Sequence, residues 1–79
     1  MKTPRNLDGV DFVAALVRHW DYRFVHQVGS HMIVETQTPF PHRLSVPAHT
    51  PVRVGTLNGM IRDVSEHKRV SKEDILKSL

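Results

Sequence analysis

The chain predicts an α+β domain of α-β-β-β-α order with one more helix at its end. Three observations carry this. Residues 22–28 and 31–37 alternate like two strands joined at Gly29-Ser30, a pair that suits a tight hairpin because glycine takes positive φ freely. Apolar residues at helical spacing stand on either side of the strand region: Phe12, Val13, Leu16, Val17 and Trp20 before it, Leu57, Met60, Ile61 and Val64 after it. Finally, 79 residues with 39% apolar content suffice for one modest core, hence one layer of sheet against one of helix.

Residues 1–7 read as a short N-terminal arm and 8–79 as the domain. Asp8 is placed to cap the first helix, over 9–20, with Asp11 three residues on as in a capping box, and Leu7 and Phe12 as a hydrophobic staple. Arg18 and His19 suit its negative end, and Asp21 ends it, because aspartate tolerates the left-handed conformation better than most residues. In the first strand Tyr22, Phe24, His26 and Val28 are expected to face the helices, with Arg23, Val25 and Gln27 outward. In the second, Met32, Val34 and Thr36 face inward, leaving His31 and Glu35 on the open face.

Thr38-Pro39-Phe40-Pro41 is a turn, since two prolines remove ladder donors, and a third strand over 43–46 turns Leu44 and Val46 inward and Arg43 and Ser45 outward. After a loop over 47–54, Thr56 is expected to cap the second helix, within which Gly59 permits close packing on the sheet. Residues 66–69 read as a polar link, and Ser71 with Asp74 makes a capping box for a last helix reaching about Leu79. Trp20, Phe12 and Phe24 are assigned to the core by periodicity, whereas Phe40, between prolines, is the aromatic expected at the surface.

Composition narrows the function classes. There is no cysteine, hence no disulfide framework and no thiolate metal site, and no apolar run of membrane-spanning length. The basic start lacks a following apolar stretch, so no signal peptide is expected, and a cytoplasmic location fits. Eleven Lys and Arg against eight Asp and Glu give a net charge of +3, which permits a polyanionic partner without requiring one. The histidines have neither helical i, i+4 nor short metal-ligand spacing, so no metal site or cofactor is expected. No serine sits in a nucleophile elbow, and there is no Gly-rich phosphate loop.

Two motifs bear a resemblance. Val25-His26-Gln27-Val28-Gly29-Ser30-His31 is similar to the V-R-Q-x-G-S-H hairpin of the HicA (YcfA-like) toxins of toxin–antitoxin pairs. Val46-Pro47-Ala48-His49, then Gly55-Thr56-Leu57 and Ile61, is similar to that family's V-P-x-H and G-T-L-x-x-I segments in order and spacing. The resemblance covers about residues 8–79 and implies a fold like a double-stranded-RNA-binding domain. It also implies ribosome-independent mRNA endonuclease activity and a HicB-type antitoxin protein that covers the active site. The catalytic histidine of the G-S-H motif corresponds to His31. The chain departs from the pattern at His26, Val28, Asp21 and Met32, and the departures in the hairpin strip positive charge from it.

The chemistry fits those residue types. RNA brings its own nucleophile, the 2′-hydroxyl; cleavage needs a base for it, an acid for the leaving oxygen, and positive charge for the phosphorane. An imidazole serves in either proton role near neutrality, which makes His31 the catalytic candidate, an ordinary exposed strand histidine being the plain alternative. His49, between two prolines, is a second proton carrier, a phosphate contact, or a loop histidine bonded to backbone. Arg23, Arg43 and Arg53 are candidate phosphate contacts or a solvated rim, and Gly29 and Ser30 are accessory through the hairpin backbone. His26 is read as an inward residue, and His42 and His67 as solvated. Two rival functions follow from the same residues: an RNA-binding module without catalysis, and a protein-interaction domain.

Overall fold

In the computed structural model, which describes residues 3–79, the order is α1 (Gly9–His19), β1 (Arg23–Val28), β2 (His31–Thr36), β3 (His42–Pro47), α2 (Val54–Lys68) and α3 (Lys72–Lys77). The strands form one antiparallel sheet in the order β1-β2-β3, so the α-β-β-β-α plan and its terminal helix are as expected. The core lies between sheet and helices. Phe12 and Leu16 of α1, Val34 and Val46 of the sheet, Leu57, Ile61 and Val64 of α2, and Ile75 of α3 are all buried there. The other face of the sheet is left open.

Several local readings are corrected. Asp8 is the N-cap of α1 by position, but its side chain accepts no capping hydrogen bond, so the expected box with Asp11 does not form. The helix start is pressed onto the loop after β3 instead: Gly9 N donates to the His49 carbonyl at 3.1 Å, and a Cβ at Gly9 would stand 2.0 Å from the Pro47 carbonyl oxygen. The tight glycine is thus Gly9; around Gly59 a Cβ would meet nothing within 4 Å.

Thr56 does not cap α2. Arg53 is the N-cap, because its carbonyl already accepts from Leu57 N at 2.9 Å and the first turn closes before the threonine. The preceding loop is anchored by Val52, buried in the core and donating its N–H to Leu7 O at 2.8 Å. At its other end α2 runs through residues 66–68, the expected polar link. It stops at Arg69 in the left-handed conformation (φ 57°), where Val70 N closes back on Ser65 O at 3.0 Å. Asp21 ends the α1 segment as expected, at φ 60°.

The largest correction is in β1. Its register with β2 shifts between Phe24 and His26, the mark of a β-bulge at Val25. Phe24 pairs with Val34 on the helix side, but beyond the bulge it is Gln27 that pairs with inward Met32, while His26 and Val28 stand opposite Ile33 and His31. His26 and Val28 therefore turn to the open face, against the expected alternation, because one extra residue inverts the parity of everything after it. Phe24, expected in the core, is 46% exposed, since it stands on an edge strand whose residues are all exposed. Trp20 is half-buried and donates from Nε1 to Ser78 Oγ at 2.8 Å, tying α1 to the end of the chain.

Candidate functional site

The β1–β2 hairpin turns at Gly29, whose φ of +58° suits a residue without Cβ, and Gln27 Nε2 closes the turn by donating to the Gly29 carbonyl at 3.0 Å. His31 is the first residue of β2, paired with Pro47 of β3, and its side chain is exposed on the open face as its parity predicts. One residue past β3, Ala48 N donates to Ser30 O at 2.6 Å, which binds the hairpin to the start of the next loop. The following residue, His49, gives its carbonyl to Gly9 N. That loop is thus tied at successive residues to the hairpin and to α1.

These ties shape a cleft of about 350 Å³ lined by His31, Pro47, His49, Thr50, Pro51, Val52, Arg53 and Thr56. Sequence reasoning picked His31, His49 and Arg53 separately, and the fold brings the three to one place. Gly29 and Ser30 contribute through the turn and the Ser30 carbonyl. The floor comes from residues that carried no chemical signal: Pro47, and Val52, which the sequence pattern left in a loop although it is buried in the core. The N-terminal end of α2 borders the cleft at Arg53 and Thr56. It has no side-chain cap and no acidic residue in its first turn, so neither its cap nor its own first turn offsets the partial positive charge of its N–H groups.

Arg23 and Arg43 stand on the open face as expected but are not in the cleft. Both flank Glu35: Arg43 binds its carboxylate through Nε at 2.9 Å and also through Nη2, and Arg23 approaches to 4.0 Å. Glu35 lies four residues along β2 from His31, on the order of 13 Å away at the rise of a strand. Their charge is partly answered before any ligand arrives.

His42 and His67, expected to be solvated, form a second cluster at the opposite end of the sheet. His67 is buried, its ring stacked on His42 with centroids 4.4 Å apart and met edge-on by Phe40 at 4.5 Å; its Nε2 has no hydrogen-bond partner among the described residues. Tyr22 Oη lies 2.9 Å from His42 Nδ1. Burial, and then Asp63, push the Tyr22 hydroxyl up to about 12, so it stays protonated in this contact with His42. Burial first, then His67, hold His42 below the usual histidine range, with Asp63 opposing and Lys68 adding to the lowering. Burial also lowers Lys68, whose Nζ donates to Thr36 Oγ1 and Thr38 O, each at 2.8 Å. The signal missed here is aromatic: Tyr22, the Phe40–His42 segment and His67 lie far apart in sequence but meet where β3 begins and α2 ends.

Comparison with protein-family models, with curated proteins and with solved structures returns no match to this chain. Among the described residues no three His, Cys, Asp or Glu side chains come together as a metal-holding group, and no helix is long and apolar enough to cross a membrane.

Proposed function

We propose that the chain is an endoribonuclease that cuts mRNA without a metal, with His31 as a proton-transfer residue. In this reading it is the toxin half of a toxin–antitoxin pair whose HicB-type antitoxin covers the cleft. One observation supports this beyond the motif resemblance: His31, His49 and Arg53 line the same cleft, next to an uncapped helix N-terminus. Imidazole supplies proton transfer to and from the RNA oxygens, while Arg53 and the α2 N–H groups offer positive charge to the phosphate. The backbone ties of the hairpin and the loop hold the two histidines in place, with no bond to the His31 side chain among the described residues.

The test is His31→Ala. The side chain is exposed and points away from Met32 and Val34, so thermal melts of parent and variant should agree, as for other surface changes. Cleavage of a labelled RNA, with EDTA present, should fall by about 10²–10⁴-fold. Cleavage at the parental rate would remove His31 from the chemistry.

A second reading, a protein-interaction domain that never touches RNA, is favoured by the bare edge strand: Phe24, Val25 and Val28 of β1 are all exposed. It predicts that purified parent protein leaves RNA intact and unbound.

A further inference from the structure

We propose that His49 is the second proton-transfer residue of the cleft, and that the His31–His49 pair cuts RNA by transesterification to a 2′,3′-cyclic phosphate and a 5′-hydroxyl. This rests on the nuclease reading above and goes past it in naming the partner group and the product.

The argument is one of elimination within the cleft. Of its lining side chains, only His31 and His49 are imidazoles, the one group there that can both accept and donate a proton in general acid–base catalysis; the Arg53 guanidinium has no acceptor, and Thr50 and Thr56 offer only hydroxyls. The carboxylate on the same sheet face, Glu35, is held by Arg43 and does not line the cleft. His26 shares the open face but is also absent from the lining. His49 is exposed, and what fixes it is backbone: its carbonyl takes Gly9 N, and its neighbour Ala48 donates to Ser30 O. Its imidazole is therefore free for a substrate while its position is set by α1 and by the hairpin that carries His31.

The reaction balances without water or any co-reactant. One imidazole takes the 2′-hydroxyl proton as the O2′–P bond forms. The other, as imidazolium, gives its proton to O5′ as the P–O5′ bond breaks. The phosphorane charge between them faces Arg53 and the α2 N–H groups. The two histidines end in exchanged protonation states and return by proton exchange with solvent.

The experiment uses the full chain. Cut sites are first mapped on a transcribed mRNA, with the end groups of the products identified. Rates are then measured on an oligonucleotide spanning one mapped site, in a normal form and in a form with sulfur replacing the bridging 5′-oxygen. A thiolate leaves without being protonated, so this substrate needs the base but not the acid. His49→Ala should lower the rate on normal RNA by about 10²–10⁴-fold and remove one limb of a bell-shaped pH profile, and His31→Ala should do the same to the other limb. The sulfur substrate should restore only one of the two variants, the one lacking the acid. His49→Gln guards against a folding effect, with circular dichroism melts of all variants, and His26→Ala should behave as the parent. Parental rates in His49→Ala, rescue of neither variant or of both, loss of a limb in His26→Ala instead, or products with a 3′-hydroxyl would each overturn the assignment. A parent that cuts no RNA overturns the nuclease reading itself, an outcome distinct from all of these.

Discussion

At the scale of single residues, two positions have backbone or protonation states that their neighbours impose. Arg69 sits at φ 57°, a conformation that costs a side-chain-bearing residue roughly 1–2 kcal/mol. The position is exposed, and the segment needs the left-handed turn so that Val70 can close on Ser65. Arg69→Gly should therefore stabilise the fold by about 0.5–1 kcal/mol after glycine's greater freedom in the unfolded chain is subtracted, read as a higher urea midpoint at unchanged slope. His42 is the second case. Its folded pKa lies below the ordinary value, so the neutral form is the one the fold favours. The stability it contributes is present above the unfolded value of about 6.5 and is lost as pH falls through the lower folded pKa, because only the unfolded chain then takes up the proton readily. Burial is the largest cause of that direction, His67 and Lys68 add to it, and Asp63 opposes it, while Tyr22 packs against the ring. Melting temperature should drop between pH 7.5 and 5 by more in the parent than in His42→Asn; equal drops would place the acid sensitivity elsewhere.

At the scale of elements, short pieces stand because of what they touch. α3, Lys72–Lys77, is too short to be stable alone. It is held by the reciprocal Ser71–Asp74 capping box and by Ile75, fully buried, whose burial is worth about 1.5–3 kcal/mol. α1 depends on one glycine. A methyl group at Gly9 would fall 2.0 Å from the Pro47 carbonyl, a backbone atom that cannot swing aside. Gly9→Ala should cost about 1–3 kcal/mol, as overpacking does, despite alanine's better helix propensity. It should also loosen the Gly9–His49 hydrogen bond and so impair cleavage beyond any loss of folded protein. A variant with parental stability would show that the helix start and the loop separate easily. β1 follows a different logic: it is a bulged edge strand, exposed along its length, with three apolar side chains in water. An edge strand of this kind is available for strand pairing, and the bulge limits how much of it pairs in register.

At the scale of the whole molecule, charge and topology divide the surface. The net +3 is not spread evenly in effect, since Glu35 already answers Arg43 and, at longer range, Arg23. Arg53 stands in the cleft beside an uncapped helix end, and no ion pair is formed by its side chain among the described residues. Under the proposed function, Arg53→Ala should reduce the salt slope of single-stranded RNA affinity by roughly 0.7, one phosphate contact. Arg43→Ala should change it less, because its loss also frees the Glu35 carboxylate. Filter binding at several salt concentrations decides between them, and an unchanged slope in Arg53→Ala would assign that arginine to the solvated rim.

What the residues alone determined is the part governed by local period. The helical stripes, the hairpin at Gly29-Ser30, the Ser71–Asp74 box and the inward set Met32, Val34, Leu44 and Val46 are all written in spacing, since burial on one face imposes a period that neighbours share. His31 on the open face follows from the same parity. Where a single extra residue breaks the period, the reading failed: the bulge at Val25 carried His26 and Val28 to the other face, and no local signal marked it. Likewise the cap of α2 and the burial of His67 depend on contacts with distant segments, which override local propensity. The cleft itself belongs to tertiary structure. His31, His49 and Arg53 come from a strand, a loop and a helix cap, and they meet only because backbone bonds from Ala48 to Ser30 and from Gly9 to His49 close one end of the sheet over the start of α2. Those bonds join segments far apart in the chain, and backbone donors and acceptors are the same in every residue, so the side-chain sequence carries no mark of them.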